Sequence, residues 1–139
     1  MKKAKINVLN ILFISILAIF SVNGQIAVHP IDAELTNCKA QKSDILGQIE
    51  CEIAAYQKWS LEVDRVYNVL LTQLDNDTRL ILKEEQLSWT KLRDVHLEFN
   101  SKFYGKQGPM MLTLLASKKT DFIRQRAVEL NSYLVALKK

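Results

Sequence analysis

Apolar residues recur at helical spacing in three long stretches of the chain. Between residues 49 and 74 they follow one another at steps of three, four or their sum, which is the repeat of one helix face. The members of this stripe are Ile49, Ile53, Tyr56, Val63, Tyr67, Leu70 and Leu74, with Trp59 and Val66 beside them. A first long helix is therefore predicted here, and it should end where Asp75, Asn76 and Asp77 supply turn and capping chemistry.

Two further long helices are predicted after this turn. The second should run from about Thr78 to Phe103. Its predicted buried face consists of Ile81, Leu92, Val95, Phe99 and Phe103, with Leu82, Trp89 and His96 to one side. The third should span about Met110 to Leu137, after a Gly-Pro pair at positions 108 and 109 that suits a helix start. Its predicted seam consists of Ala116, Ile123, Ala127, Leu130, Leu134 and Leu137.

A shorter helix is predicted ahead of these three, over about Ala33 to Gln41, with Ser43 or Asp44 capping the helix that follows. Short connections make neighbouring helices antiparallel. The predicted fold class is therefore all-α: an antiparallel bundle of three long helices plus a short N-terminal helix.

Residues 1–24 have the three parts of a secretory signal peptide. The first five residues contain three lysines and no acid, residues 6–22 are almost wholly apolar, and small or modest residues lead to Gly24. Cleavage after Gly24 would make Gln25 the mature start and leave residues 25–139 as a single domain. An uncleaved membrane anchor is the alternative, but the apolar stretch is short for a span of about 20 residues. The predicted localisation is secreted or periplasmic, with membrane contact only through the signal peptide before cleavage.

The charge of the chain changes once this segment is set aside. The full chain has 19 basic and 15 acidic residues, a net charge of +4. Because three of the lysines lie in the signal peptide, residues 25–139 carry 16 basic and 15 acidic residues, a net charge of +1. A nucleic-acid partner would require a basic surface or a binding motif, and the sequence has neither, so we expect no nucleic acid to bind.

The chain has two cysteines, Cys38 and Cys51. In an exported chain an isolated pair indicates one disulfide, which for a short loop contributes about 3 kcal/mol. Two buried free thiols are a less favoured alternative. A zinc site is less favoured still, because the spacing lacks nearby histidines.

The residues that could perform catalysis do not converge. The sequence contains no serine-hydrolase elbow, zinc-protease motif, phosphate-binding loop or C-x-x-C pair. His96 and Asp94 are two residues apart on a helix and do not face each other, and the adjacent Glu84 and Glu85 diverge. We therefore expect no catalytic residue, no metal site and no cofactor, and the chain is not predicted to be an enzyme.

A motif lies in the middle of the second long helix. Gln86, Trp89 and Arg93 share one helix side, and Asp94 follows directly. Together with residues that precede and follow it in the chain, this motif resembles the LprI-like lysozyme inhibitor N-terminal domain family. The resemblance covers roughly Cys38 to Leu134. The positions that carry the resemblance are Cys51, Trp59, Tyr67, Leu71, Leu82, Gln86, Trp89, Arg93, Asp94, Gly108, Arg126, Ala127 and Leu130.

The resemblance implies a small helical domain of bacterial envelope or secreted proteins. Within it, structural roles are expected for Trp59, Tyr67, Gln86, Trp89, Asp94 and Arg126. Members of the family often carry a further cysteine just after the Arg-Asp pair and a partner later on. Here His96 stands near the first place and no cysteine follows Cys51, so one bridge of the family is missing. An activity of the family's best-known member need not be retained.

Two functions follow from the resemblance and the residues. The first is a non-catalytic binding protein that inhibits lysozyme, whose cleft holds an acidic pair. A basic loop could enter that cleft, so the candidate partner-binding residues are Lys106, Tyr104 and Arg93. The alternative is a structural or assembly module of the envelope that docks another protein through an exposed helix face.

Overall fold

The computed structural model describes residues 28–138, which form four helices. They are α1 (Pro30–Ala40), α2 (Ile45–Gln73), α3 (Asn76–Tyr104) and α4 (Pro109–Leu137). The predicted all-α fold, with three long helices and a short N-terminal one, is confirmed. The predicted signal peptide and the mature start at Gln25 lie outside the described residues.

The helix starts follow from the capping residues in the sequence. The Asp44 carboxylate accepts a hydrogen bond from the Gly47 N–H at 2.8 Å, and the Asp75 carboxylate accepts one from the Thr78 N–H at 2.9 Å. These backbone hydrogen bonds lower the pKa of both aspartates, because they stabilise the charged form. Asp44, rather than Ser43, is therefore the cap of α2.

The three long helices alternate in direction, so α2 and α4 run parallel and α3 runs against both. Near the start of α4, the Thr120 hydroxyl donates to the Glu52 carbonyl near the start of α2, at 3.1 Å. Near the other end, Leu70 and Tyr133 line the same cavity. Helices α2 and α4 pack along much of their length, whereas α3 touches α4 over a smaller area. The main core members are Ala55, Trp59, Val63, Val66, Leu70, Leu82, Ile123, Ala127, Leu130 and Leu134.

The buried face predicted for α3 is wrong. The residues predicted to be buried are exposed: Ile81 by 67%, Leu92 by 58%, Val95 by 66%, Phe99 by 61% and Phe103 by 50%. The neighbouring side, with Leu82, Trp89 and His96, faces the bundle instead. The reason is that α2 and α4 make the most extensive contact in the bundle, and α3 joins α4 through a narrower one.

Smaller corrections concern α2 and α4. Ile53 and Leu137 were predicted to be buried but are about half exposed, whereas Trp59 and Val66, predicted at the edge of the stripe, are at its centre. The seam from Ile123 to Leu134 is buried as predicted. The buried face of α2 is therefore rotated slightly about the helix axis from the predicted face.

Helix α1 is attached covalently and by ion pairs. The predicted Cys38–Cys51 disulfide is confirmed and joins α1 to α2, with a Cα–Cα distance of 5.8 Å. Beside it, the Lys39 ammonium pairs with the buried Glu52 carboxylate. Arg124 of α4 pairs with Asp32 of α1 at 3.2 Å. In the part of the chain that the structure describes, no helix is apolar enough over sufficient length to cross a membrane.

Candidate functional site

A buried guanidinium joins α3 to α4 at the middle of the bundle. The side chain of Arg126, on α4, has no solvent exposure. Its Nε donates to Gln86 Oε1 at 3.0 Å, and Nη2 donates to the same oxygen at 2.7 Å. Its Nη1 donates to Glu85 and to Glu129 at 2.9 Å each, and Nη2 forms a second bond with Glu85. Gln86 and Arg126, both named from the sequence, therefore bond each other.

The partners of Arg126 stabilise its positive charge. Burial disfavours the charged guanidinium, but hydrogen bonds and charges of Glu85 and Glu129 outweigh it and raise the pKa of Arg126 above its ordinary value. Both carboxylates keep about half of their side-chain surface in solvent. The cluster is thus a buried cation with two partly hydrated anionic partners.

Trp89 lies against this cluster. The guanidinium carbon of Arg126 is 5.4 Å from the Trp89 ring centroid, and that of Arg93 is 5.7 Å away. The Phe122 ring stacks on Trp89 at 5.9 Å and on His96 at 4.5 Å. Trp89 is therefore a packing centre with two cations beside it, and His96 is packed against Phe122.

Arg93 and Asp94 form a pair on the surface of α3. The Arg93 guanidinium lies 2.7 Å from the Asp94 carboxylate, whose side chain is 63% exposed. Arg93 retains 30% exposure. Arg93 is thus turned toward its neighbour in sequence, and its outer edge remains accessible.

Trp59 and Tyr67 belong to the core. Trp59 is 1% exposed, and the His29 ring lies 4.3 Å from it. His29 also caps α1, accepting a hydrogen bond from the Ile31 N–H at 3.3 Å. Tyr67 is half-buried against the core. The contact of His29 with Trp59 was missed from the sequence, because no local spacing relates a residue before α1 to the middle of α2.

The predicted loop candidates lie at one end of the bundle, roughly 17 Å along α3 from Arg93. The connection consists of residues 105–108, and Lys106 in it is exposed. Tyr104 is the last residue of α3, half-buried, with its ring edge against Phe103 at 5.0 Å. Gly108 has φ 97°, which favours glycine, whereas Gly105 has an ordinary φ of −62°. Lys106 is therefore presented by the loop, but Tyr104 and Arg93 are not beside it at its tip.

An apolar groove opens at this same end. It has a volume of about 430 Å³ and lies between the start of α2, the end of α3 and the start of α4. Its wall is formed by Ile49, Glu52, Ile53, Tyr56, Leu97, Leu112, Leu115, Ala116 and Lys119. The buried Glu52 was not identified from the sequence, because a single glutamate within an amphipathic helix reads as a surface residue. Within residues 28–138 no three metal-binding side chains come together.

This geometry defines a helical domain in which the polar motif fixes helix packing, while the accessible groups lie in a loop, a groove and an outer helix face. The family model of the lysozyme inhibitor LprI matches residues 38–130, and the chain belongs to that family. The crystal structure of an uncharacterized protein from Burkholderia thailandensis is similar, with 30% sequence identity and a TM-score of 0.70. The match covers 81% of this chain and 56% of that one. No curated protein matches the chain significantly.

Proposed function

We propose that this chain is a non-catalytic binding protein, secreted or periplasmic, that inhibits lysozyme. The observation that carries the proposal is membership of the LprI lysozyme inhibitor family over residues 38–130. The polar motif is compatible with a binding role without catalysis, because Arg126 bonds both Gln86 and Glu85 and these side chains are engaged in holding α3 and α4 together.

We place the lysozyme contact at the loop end of the bundle. Lys106 is exposed there and has no ion-pair partner among residues 28–138. Lys118 and Lys119 lie in the third turn of α4, on the same end. A lysozyme cleft contains two carboxylates, and an ammonium group placed beside them gains charge-assisted hydrogen bonds. The apolar groove next to the loop supplies the surface on which a rim of the cleft could pack.

Long-range attraction contributes little to this proposal. Residues 25–139 have a net charge of only +1, so they provide no strong field that would steer a charged partner. Recognition must therefore come from short-range contacts. We expect the affinity to depend on Lys106 more than on the ionic strength of the medium.

The test is the rate of cell-wall lysis by lysozyme with the purified protein added. Wild type should inhibit, and Lys106→Ala should bind lysozyme at least roughly thirtyfold more weakly, which corresponds to the lower end of the 2–5 kcal/mol lost with a buried charge pair. Lys83→Ala is the matched control, because Lys83 is also exposed but lies near the other end of α3. Circular dichroism should give the same helix content for all three proteins.

The possible outcomes test the lysozyme proposal for the whole protein and the proposed loop contact separately. Failure of wild type to slow lysis removes the lysozyme proposal for the whole chain. Equal inhibition by wild type and Lys106→Ala removes only the loop contact, and the groove residues Leu97 and Leu112 become the next positions to change.

We further propose that the chain is exported with cleavage after Gly24. The support is the charged start, apolar middle and small-residue exit of the first 24 residues. The intact mass of the protein recovered from the envelope or the medium should correspond to a chain that starts at Gln25. A mass for all 139 residues would contradict cleavage.

A second candidate function is a structural or assembly module of the envelope. It is favoured by the outer face of α3, where Leu92, Val95 and Phe99 are each more than half exposed. Capture of a partner other than lysozyme by this face, with no inhibition of lysis, would favour this function over the first.

A further inference from the structure

A second groove, more polar than the one described above, opens between α3 and α4. We call it the α3–α4 groove, and its volume of about 400 Å³ lies within the roughly 300–1,000 Å³ of small-molecule sites. Its walls are two rows of side chains: His96, Asn100 and Tyr104 on α3, and Lys118, Asp121, Phe122 and Gln125 on α4. Residues at steps of three and four share one helix face, so each helix turns a continuous row toward the groove. The row on α3 spans roughly 12 Å.

Asn100 is the buried member of these walls, only 5% exposed. Its Nδ2 donates a hydrogen bond to the His96 carbonyl at 2.9 Å. Because a carbonyl can only accept, the amide nitrogen must face it, and Oδ1 receives no hydrogen bond from residues 28–138. Unlike the unbonded Oε2 of Glu52, this oxygen is not sealed from the surface, so it is open to the groove. Asparagine is a poor residue for a helix interior, and a buried acceptor without a donor is costly, which favours a ligand-binding role here.

Three further polar groups of the walls are also free to bond a ligand. The Tyr104 hydroxyl, the Lys118 ammonium and the Gln125 amide form no side-chain hydrogen bond with other groups of residues 28–138. Lys118 and Gln125 are exposed, and Tyr104 is half-buried. The groove therefore presents a buried acceptor at its floor and unbonded donors and acceptors around it.

The charges at the groove cancel. Lys118 contributes a cation and Asp121 an anion. Behind them, Arg124 lies 3.5 Å from Asp121 and 3.2 Å from Asp32, so the group contains two cations and two anions. A site of this kind does not select a ligand by its net charge.

We propose that the α3–α4 groove binds an uncharged saccharide. The Asn100 oxygen and the Asp121 carboxylate only accept hydrogen bonds, Lys118 only donates, and the Gln125 amide does both. Hydroxyl groups also do both, so a polyhydroxylated ligand can satisfy all of these groups at once. The half-buried ring of Phe122 offers an apolar surface for the C–H face of a sugar ring. The proposal does not rest on lysozyme inhibition, because this groove shares no wall residue with the apolar groove at the loop.

The experiment is a two-dimensional NMR titration of the isotope-labelled protein, with its disulfide intact, with maltotriose and chitotriose as uncharged probes. At millimolar concentrations at least one of them should give saturable shifts of the side-chain amide signals of Asn100 and Gln125. Gln125→Ala should weaken this binding by about tenfold, as expected for one lost hydrogen bond. Gln57→Ala is the matched control, because Gln57 is exposed on α2, outside the groove, and this change should leave binding unaltered.

Asn100→Leu tests the buried acceptor, because leucine has a similar size and cannot accept a hydrogen bond. This variant should remove the saturable shifts of the Gln125 signal, while circular dichroism shows the same helix content as wild type. If Asn100→Leu does not fold, Gln125→Ala against Gln57→Ala decides the result alone. The proposal is overturned if neither uncharged probe shifts the Asn100 and Gln125 signals, or if Gln125→Ala binds as well as wild type. Tighter binding of the acidic trisaccharide trigalacturonate would overturn the choice of an uncharged ligand.

Discussion

Replacement of Arg126 by methionine should destabilise the protein by about 2–3 kcal/mol. Methionine keeps much of the side-chain length but removes every hydrogen bond to Glu85, Gln86 and Glu129, as well as the cation beside the Trp89 ring. Removing one partner of a fully buried ion pair costs about 3–5 kcal/mol. Here the estimate is lower, because Glu85 and Glu129 are about half exposed and regain water when the guanidinium is absent.

Urea unfolding with the disulfide intact measures this change, with Arg65→Met as the matched control. Arg65 pairs with Glu62 on the surface of α2, where its side chain is 56% exposed, so its loss should cost less than about 1 kcal/mol. A double-mutant cycle of Arg126→Met with Glu85→Gln should give a coupling of about 1–2 kcal/mol. If Arg126→Met is no more destabilising than Arg65→Met, the buried cluster does not hold α3 to α4 as argued.

Trp89→Ala should destabilise the fold by about 2–4 kcal/mol, somewhat less than a fully buried aromatic, because the ring is half-buried beside Phe122; an unchanged denaturant midpoint would place Trp89 on the surface of the molecule instead. Acid should also destabilise the fold through Asp44 and Asp75, whose pKa values are lowered from 3.8 in the folded state. Their contribution is fully present above pH 3.8 and is lost as the pH falls through the lowered pKa values. Asp75→Asn keeps a side-chain oxygen that can cap the helix but removes the carboxyl group that titrates. The denaturant midpoint of this variant should therefore fall less steeply than that of wild type between about pH 4 and pH 2. Parallel pH profiles for the two proteins would contradict this role of Asp75.

The number and order of the helices could be predicted because their signals are local. Aspartates at 44 and 75 cap the helices that follow, and the Gly-Pro pair at 108 and 109 separates α3 from α4. The disulfide could be predicted because only one pairing exists for two cysteines. Each of these inferences uses residues that lie close together in the chain or leave no alternative.

The polar cluster could be predicted only in part. The side shared by Gln86, Trp89 and Arg93 follows from helix geometry. The bond between Gln86 and Arg126 joins residues 40 positions apart, and the bidentate pairing with Glu85 depends on the rotation of α4. The sequence indicated only that Glu85 diverges from Glu84, since its position on the helix gives no sign of a buried arginine. Tertiary packing, which local spacing does not encode, selected the partner.

The wrong prediction of the buried face of α3 has a physical explanation. Hydrophobic periodicity identifies a face that avoids water, but it does not say which surface covers that face. The better-defined apolar face of α3 points outward, and the helix is attached by the Arg126 cluster, by Leu82 and by the stacking of Trp89 and His96 on Phe122. With fewer buried apolar contacts than α2 or α4, α3 should open more readily than the rest of the bundle.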